Sequence, residues 1–401
     1  MAGDLNSSPT PFTPPTTEED GLAWLRLIRS RRVGVATFYR LIAEYGSAGA
    51  ALAALPEIAR TSGVRDYQPC PEEVARAELR AGRAARARLL FNGAPDYPAA
   101  LAALPDAPPL LWVMGQPEVL ARPMVSLVGA RNASSLGLRM TRKLAGELAE
   151  AGITVVSGLA RGIDAAAHAA ALAAGPDRGG TVGVHAGGVD IIYPAENTDL
   201  AQRIAEVGCR ISEHPPGLEP QARHFPQRNR LVAGLAHAVI VVEAAERSGS
   251  LITASCAADQ GREVLAVPGH PFDARAAGCN MLIRQGATLV RSVSDVMEAI
   301  APLLARAAKR ATPHDAPRGL PLGRARAEAP PPARPMAPLA EPAALDQMIL
   351  DRLGPSPLAE DQLIRDLGLP AGRVAAELVM MELDGRVLRQ PGGLLALGQP
   401  A

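Results

Sequence analysis

The chain has 401 residues, with 41 basic and 41 acidic side chains and a formal net charge of zero, and 48% of its residues are hydrophobic. This composition is typical of a soluble globular protein of two or three domains. Because no global field attracts a polyanion, such a ligand needs a local basic patch. Lysine occurs only at Lys143 and Lys309, and neither follows a GxxxxGK[ST] loop, which argues against a Walker-type nucleotide triphosphatase and against Schiff-base chemistry.

The cysteines and the start of the chain bear on compartment and metal content. Cys70, Cys209, Cys256 and Cys279 lie far apart, with no CxxC pair and no histidine at ligand spacing. The sequence therefore predicts free thiols, with neither a metal site nor a disulfide framework. The first residues lack the regions of a signal peptide, and nowhere do eighteen apolar residues occur in succession. We expect a cytoplasmic protein without a membrane span or a cofactor.

Hydrophobic patterning divides the chain into segments. Residues 1–17, rich in Pro, Ser and Thr, predict a disordered tail, and apolar positions at helical spacing follow. The proline-rich stretch before the C-terminal segment predicts a flexible linker. The six predicted segments are the tail at 1–17, a helical domain at 18–70, a connector at 71–122 leading into a strand at Leu110–Met114, a sheet domain at 123–304, the linker at 305–342 and a winged-helix domain at 343–401.

The sheet domain shows short apolar runs, MVSLVG, ITVVSG, TVGVHAG, CRISE, AVIVVEA and EVLAVPG, separated by amphipathic helical segments. This alternation predicts an α/β fold with a Rossmann-like, doubly wound and mostly parallel sheet. In the C-terminal segment, three helical patterns precede VLRQPGGLLALG, which predicts a hairpin turning at Pro391-Gly392-Gly393. Three helices and a hairpin are typical of a winged helix.

Four glycine-rich loops follow the predicted strands, where open parallel sheets bind their ligands. They are VGARNASSLG with Gly129 and Arg131, SGLARGID with Ser157, Gly158, Arg161 and Gly162, EAAERSGSLITA with Ser248, Gly249 and Ser250, and PGHPFDARAAGCN. Serine caps and helix N-termini that converge on one crevice predict a phosphate-binding surface. Each loop taken alone also fits an ordinary strand-to-helix turn.

Other chemistries find less support in the sequence. GxGxxG is absent after the first strand of the sheet domain, and the second strand ends in Ser157-Gly158 without an acid for a ribose, which disfavours a dinucleotide cofactor. Neither GxSxG nor HExxH occurs. Asp164 at a helix start predicts capping, and Glu243 at a strand end predicts the ordering of nearby loops or arginines. The sequence thus carries no motif for dinucleotide-dependent or hydrolytic chemistry.

The segment EPQARHFPQRNRLVAGL sets one aromatic ring among cations. Arg223, Phe225, Arg228, Asn229 and Arg230 fall within it. A phenylalanine flanked by arginines predicts a base-stacking platform with phosphate contacts, the arrangement that single-stranded nucleic acid requires. The alternative is a loop phenylalanine folded back on the domain, with solvated arginines around it.

Together these segments closely resemble the DNA-processing protein A family, DprA or Smf. The resemblance covers nearly all of 124–300 and rests on VGAR, VVSGLARGIDAAAH, GGVDIIYPAEN, HFPQRNRLVAGL, VVEAAERSGSLITA, GREVLAVPG and GCNMLIRQGA. It implies a non-catalytic protein of natural transformation that binds single-stranded DNA without sequence preference. It also implies self-association and loading of the RecA recombinase onto strands coated by single-strand-binding protein.

The resemblance assigns roles by motif. The DNA groove would use Arg131, the 157–162 loop, Phe225 with residues 228–230, and the 248–250 turn. A homodimer would form near MLIRQGATLV, where Ile283 and Leu289 either lie at an edge or are buried in the core.

The two flanks resemble the family less closely. The N-terminal domain is SAM-like, but RSRRVGVATFYRL has Gly34 alone where the family has a GIG-type turn, so we treat it as an accessory domain. The recognition helix of the winged helix carries two arginines against three acids, which favours protein contact over duplex binding.

Two other functions stay open from the sequence. Nucleotide phosphoribohydrolases and nucleotide sensors share the Rossmann-like fold and its glycine-rich loops. Their PGGxGT motif is replaced here by ERSGSLITA. A winged-helix transcription regulator would need a basic recognition helix, which the sequence lacks.

Overall fold

The computed structural model describes two compact units of the chain. One holds the described residues of Met1–Leu25 and Glu72–Thr312, and the other those of Arg26–Pro71 and Pro313–Ala401. The residues that the structure describes are 13–64, 66–175, 178–311, 343–353, 358–367, 374, 377–378, 381–382, 386–390 and 394–397.

Three helices form the N-terminal helical domain that the sequence predicted: α1 (Glu18–Arg29), α2 (Val35–Tyr45) and α3 (Ala48–Thr61). Thr17, the last residue of the predicted disordered tail, begins α1 as its cap, because its hydroxyl accepts a hydrogen bond from the Asp20 amide at 3.1 Å. The Ser47 hydroxyl caps α3 in the same way at 3.2 Å.

A nine-stranded sheet forms the body of the first unit, in the order β1-β2-β6-β5-β4-β3-β7-β8-β9. Strands β3 to β9 pair in parallel, whereas β1–β2 and β2–β6 are antiparallel. The strands are β1 (Arg88–Phe91), β2 (Leu110–Gly115), β3 (Met124–Val128), β4 (Thr154–Ser157), β5 (Thr181–Val184), β6 (Cys209–Ser212), β7 (Ala238–Val241), β8 (Glu263–Ala266) and β9 (Thr288–Leu289). This is the doubly wound, mostly parallel sheet that the sequence predicted.

Helices cover both faces of this sheet. They are α4 (Glu72–Ala84), α5 (Ala99–Ala102), α6 (Ser135–Glu150), α7 (Ile163–Ala173), α8 (Thr198–Val207), α9 (His224–Leu235), α10 (Gly249–Asp259), α11 (Ala277–Arg284) and α12 (Val293–Ala311). Every residue of β3, β4 and β7 is buried, as expected for parallel strands with helices on both sides. Helix α12 continues to Ala311, so the predicted start of the linker at residue 305 is too early.

The topology of the sheet identifies where a ligand fits. Strand β3 lies between β4 and β7, and Ser126 pairs with Val156 on one side and with Val239 on the other. After β3 the chain continues to β4 on one side of β3, and it later forms β7 on the other side. The loops that follow β3 and β7 therefore turn away from each other. Such a switch point opens a crevice at the carboxyl ends of the strands.

The predicted connector at 71–122 contributes more than a link. It forms α4, β1 and β2, and β1 pairs with β2 from Arg88↔Val113 to Phe91↔Leu110. Only β2 was predicted as a strand, because the short run of β1 has no periodicity that separates strand from helix. The indole of Trp112 donates a hydrogen bond to Glu78 of α4 at 2.9 Å, which ties this edge of the sheet together.

The described C-terminal residues form a small helix-and-sheet domain within the second unit. Its elements are α13 (Ala343–Arg352), β10 (Leu358–Ala359), α14 (Glu360–Leu367), β11 (Val387–Gln390) and β12 (Leu394–Leu397). The strands pair antiparallel in the order β10-β12-β11. This arrangement agrees with the predicted winged helix. The turn at 391–393, most of the predicted recognition helix and the linker at 312–342 lie outside the described residues.

An ion pair connects the N-terminal helices with the C-terminal domain inside the second unit. Arg40 of α2 lies 3.8 Å from Glu382, and Arg389 of β11 bonds to Glu382 at 2.9 Å. In the part of the chain that the structure describes, no helix has the length and apolar character to cross a membrane.

Candidate nucleic-acid interface

A cavity of about 670 Å³ lies at the carboxyl ends of β3, β4 and β7, the position that the topology predicts. The loops after these three strands line it, together with the first turns of α9 and α10. Of the residues that the sequence singled out, nine contribute to its wall: Gly129, Arg131, Gly158, Phe225, Arg228, Asn229, Ser248, Gly249 and Ser250.

The loop after β3 is held by a buried carboxylate. Ser134 is the N-cap of α6, and its hydroxyl accepts a hydrogen bond from the Gly137 amide at 3.0 Å. The same hydroxyl donates to Glu243 at 2.5 Å, and the Ser134 amide donates to Glu243 at 3.0 Å. Glu243 is only 7% exposed. It therefore orders this loop, as the sequence predicted, and Arg131 and Asn132 of the same loop line the cavity.

The loop after β4 is organised around a buried aspartate. Asp164 in the first turn of α7 accepts hydrogen bonds from the backbone amides of Gly158 and Ala160, at 3.1 and 3.4 Å. Burial raises the pKa of Asp164, and the nearby Arg228 opposes that rise. The Ser157 hydroxyl is buried and donates to the Leu127 carbonyl at 2.6 Å, so it braces the sheet and does not face the cavity.

Glycines in these loops permit close packing of one loop against another. Gly162 has φ of 72°, and a Cβ there would lie 2.4 Å from the Ala130 carbonyl oxygen. At Gly158 a Cβ would lie 2.5 Å from the Arg228 guanidinium. The glycines thus serve the turns, and Gly129, Gly158 and Gly249 also reach the cavity wall, whereas Gly162 does not.

The segment with the predicted stacking ring forms the start of α9. Phe225 lies in the first turn, where Pro226 is tolerated. Its ring is half-buried, 5.7 Å from the Arg131 guanidinium and 6.0 Å from that of Arg228, both within cation–π range. The Tyr193 ring lies 5.6 Å away on the other side. The structure therefore brings together the aromatic ring and two of the predicted arginines.

Arg228 occupies a different position from the phosphate contact that the sequence predicted. Its side chain is buried, with 6% exposed, and its guanidinium donates to the backbone carbonyls of Gly158, at 2.5 Å, and Val184. Burial lowers its pKa to about 10, which leaves it charged at neutral pH. Arg228 forms the inner wall of the cavity, where it cross-links the ends of β4 and β5 and interacts with the carboxylate of Asp164.

Three other predicted arginines lie outside the cavity. Arg230 points away from Arg228 because residues two apart do not share a helix face, and it pairs with Glu213 and Asp106. Arg161 pairs with Glu196 at 2.7 Å, with both side chains exposed. Arg223 is exposed at the start of α9. The structure therefore corrects the predicted groove, because it removes these three from the cavity wall.

The loop after β7 brings the predicted serine turn to the rim. Ser248 is the N-cap of α10, and its hydroxyl lies 2.7 Å from that of Ser250. Asn229 of α9 donates to the Gly249 carbonyl at 3.4 Å and so joins the two helix starts. The N-terminus of α10, the side chains of α9 and the loop that precedes α6 thus face one crevice.

Two cavity arginines were missed by the sequence analysis. Arg247, before the serine turn, and Arg275, in the loop after β8, both line the wall. Arg275 pairs with Asp273 at 3.1 Å and approaches Glu243 at 3.9 Å. Among the described residues, Arg131 and Arg247 have no carboxylate partner. Both arginines lie in loops that the sequence analysis had predicted to bind phosphate. Their position in a loop after a strand could therefore have identified them.

The predicted self-association segment lies at the edge of the sheet. Leu289 belongs to β9, the last strand, and is 40% exposed. Ile283 of α11 packs partly buried against the sheet core. Leu289 is therefore the more exposed of the two predicted interface residues. All four cysteines are free, and the described residues include no cluster of three or more metal-ligating side chains.

Comparisons with known proteins agree with this architecture. Residues 88–301 match the family model described as DNA recombination-mediator protein A. Residues 18–81 match a DprA-like N-terminal HHH domain, and residues 329–393 match a DprA winged helix domain. The chain belongs to the DNA processing protein A family, DprA or Smf.

Individual members show the extent of the relationship. DNA processing protein DprA of Bacillus subtilis is 45% identical over 204 residues, which cover 51% of this chain and 68% of that protein. Protein Smf of Synechocystis is 37% identical over 318 residues, 74% of this chain and 77% of that protein. The X-ray structure of DprA from Streptococcus pneumoniae superposes with a TM-score of 0.56 at 36% identity, covering 66% of this chain and 98% of that one.

Proposed function

We propose that this DprA-family protein binds single-stranded DNA without sequence preference, at the cavity between β3, β4 and β7. One observation carries the proposal: the Phe225 ring lies at a cavity wall, within cation–π range of the guanidinium groups of Arg131 and Arg228. A base stacks on such a ring whatever its identity, because every base has a π-face. Cations and helix N-termini around the ring suit the phosphates of the same strand.

The geometry favours a single strand over a duplex. Phe225 is half-buried at the cavity wall, so only a base that has left a paired stack reaches its face. The phosphate ligands that we assign are Arg131 and Arg247, the two cavity arginines free of carboxylates among the described residues. Sequence readout would require side chains that bond to base edges, whereas the two arginines without a carboxylate partner are assigned here to phosphates, which carry no sequence information.

Binding of a fluorescent oligonucleotide tests this assignment. Single-stranded and duplex forms are titrated with the wild type and with Phe225→Ala, and Phe225→Tyr is the matched control that keeps the ring. We expect preferential binding of the single strand and a loss of about 1–3 kcal/mol for the alanine variant alone. Equal, weak binding of both forms, unchanged in Phe225→Ala, would contradict the proposal.

A second proposal concerns partners. From its family membership we infer that the protein, in the cytoplasm, loads the RecA recombinase onto strands coated by single-strand-binding protein, and that it is not an enzyme. The test measures RecA-dependent ATP hydrolysis on coated single strands with and without the protein. We expect the wild type to shorten the lag and Phe225→Ala to leave it long. An unchanged lag with a protein that binds DNA would refute loading but not binding.

A homodimer is a third part of the proposal. Exposed Leu289 on the edge strand β9 supports it, because an unpaired edge can add a second copy. Sedimentation of the wild type and of Leu289→Glu checks this, with a lower mass expected for the variant. Equal masses for the wild type and the variant would show that Leu289 is not part of a dimer interface.

The cavity volume also falls in the range of small-molecule sites, which keeps a nucleotide sensor or phosphoribohydrolase-like enzyme as the second candidate. A thermal-shift screen with nucleotides decides it. Stabilisation by a mononucleotide, without binding of oligonucleotides, would favour that candidate over DNA.

A further inference from the structure

The aromatic residues of the sheet domain are placed unusually. Between residues 124 and 300 the sequence has three of them, Tyr193, Phe225 and Phe272. Tyr193 is 52% exposed, Phe272 is 95% exposed, and Phe225 is half-buried at the cavity. Aromatic side chains contribute large apolar areas to cores, yet this core is aliphatic. All three rings are therefore available to a ligand.

The three rings also share one edge of the sheet. Tyr193 follows β5, Phe225 starts α9 beside the ends of β3 and β4, and Phe272 follows β8. The sheet order places β5 and β8 on opposite sides of β3, four strand spacings apart. At about 4.8 Å per spacing, this distance is roughly 19 Å. The rings are thus distributed along the carboxyl edge, across the direction of the strands.

One outer ring contacts a ring of the cavity wall, and the other lies in a loop that contributes to that wall. The Tyr193 ring packs at 5.6 Å from Phe225. On the far side, Phe272 and Arg275 belong to the same loop, and Arg275 lines the cavity together with Arg247. The Phe272 ring is supported by His270, with ring centroids 5.5 Å apart, while the rest of its surface faces solvent.

We propose that Tyr193 and Phe272 are two further base-stacking positions, so that a single strand crosses the whole carboxyl edge from β5 to β8. The inference rests on the proposed function of the cavity and extends it. At about 3.4 Å per phosphate, the spacing of a base-stacked strand, about six nucleotides cover roughly 19 Å. Phe225 then holds a central base, and the outer rings hold bases that only a longer oligonucleotide supplies.

The position and charge of the surface between the outer rings indicate that its ligand is DNA. The edge between the outer rings is the wall of the DNA cavity itself, with Arg131 and Arg247 facing it. A protein partner would bury a contiguous apolar surface, whereas here single rings alternate with cations. Alternation of rings and cations is the pattern of single-strand binding surfaces.

Oligonucleotide length is the variable that tests this inference. Affinities for dT4 and dT12 are measured with the wild type, Phe272→Ala, Tyr193→Ala and Phe225→Ala. We expect Phe225→Ala to weaken both lengths, and Phe272→Ala to weaken dT12 by roughly 5- to 140-fold while dT4 changes less than twofold. Tyr193→Ala should follow Phe272→Ala, with an additional effect on dT4 because its ring touches Phe225.

Two controls make the outcome specific. Phe272→Trp keeps a stacking face and should bind dT12 like the wild type, whereas Phe272→Leu keeps only the apolar character and should not. Val74→Ala removes an exposed apolar side chain from α4, beside β1 at the opposite end of the sheet, and should change neither length.

The failures of the two proposals are distinguishable. If the wild type does not bind dT12, or Phe225→Ala binds normally, the cavity assignment itself fails. If those results hold but Phe272→Ala binds dT12 like the wild type, the stacking row is overturned. Weaker dimerisation of Phe272→Ala with unchanged DNA affinity would also overturn it, because the ring would then serve a second copy of the chain.

Discussion

At the scale of single residues, two arginines near the same ring have opposite roles. Arg131 is exposed and has no carboxylate partner among the described residues, so it is available to a phosphate. Arg228 is buried and bonded to two strand-end carbonyls, with Asp164 as its counter-charge. Both guanidinium groups lie within 6.0 Å of the Phe225 ring, and the two arginines differ in how deeply their side chains are buried.

We expect Arg228→Ala to destabilise the sheet domain by about 3–5 kcal/mol, because it leaves Asp164 as an uncompensated buried charge. Arg131→Ala should keep the stability and weaken single-strand binding about tenfold, which is about 1.4 kcal/mol. Chemical denaturation and oligonucleotide titration of both variants measure the two effects. Adding Asp164→Asn to Arg228→Ala should recover part of the stability. Equal loss of affinity with unchanged stability in both variants would contradict the assignment.

Two buried histidines give stability a pH dependence. Burial lowers the pKa of His168 and of His185 to about 3, from an ordinary value of 6.5. Between these pH values the imidazoles are protonated in the unfolded chain but not in the native state. The free energy of unfolding therefore falls as the pH drops from 6.5 toward 3.

The expected slope is up to about 1.4 kcal/mol per pH unit for each histidine in that window. Urea denaturation of the wild type between pH 7 and pH 4.5 measures it. His185→Gln should reduce the slope, whereas His270→Gln, which alters an exposed ring, should not. The same slope in all three proteins would refute the contribution of the buried imidazoles.

At the scale of elements, the start of α6 depends on a carboxylate from another strand. Glu243 at the end of β7 accepts from the Ser134 cap, and Gly137 leaves room for it. A Cβ at Gly137 would lie 2.3 Å from Oε2 of Glu243. The loop after β3, which carries Arg131, is therefore ordered by a contact between segments distant in the chain.

Gly137→Ala should displace the carboxylate and cost about 1–2 kcal/mol of stability through the lost cap. Gly146 in the same helix has open space around its missing side chain, so Gly146→Ala is the matched control and should stabilise by about 0.5–1 kcal/mol. Denaturation midpoints compare the two variants. Opposite signs are expected, and a stabilised Gly137→Ala would refute the role of Glu243.

At the scale of the whole molecule, zero net charge means that the proposed DNA binding depends on a few local cations. With two unpaired cavity arginines, we expect log K to fall against log salt with a slope near −1.4 per protomer, since each phosphate contact on a single strand contributes about −0.7. This is about sevenfold in affinity between 50 and 200 mM salt. Arg247→Ala should reduce the slope by about 0.7. A wild-type slope near −4 would require phosphate contacts beyond this cavity.

The sequence by itself determined the fold class and the edge of the sheet where ligands bind. Apolar runs such as MVSLVG and AVIVVEA can only be buried strands, and Gly and Ser after them mark helix starts. It also predicted Phe225 as a stacking ring, because a phenylalanine among arginines is poorly placed for a core, and the stacking role stays a prediction. These are local properties, set by periodicity and by the chemistry of neighbouring residues.

Only the tertiary structure decided which cations face the cavity. Arg228 and Arg230 are two residues apart, yet one is buried at the strand ends and the other pairs with Glu213. Arg247 lines the cavity, although the sequence had predicted only the serines and the glycine of its loop as ligand contacts. Helix rotation, burial and ion pairing depend on residues distant in the chain, such as Asp164 and Glu243, so no local pattern carries that information.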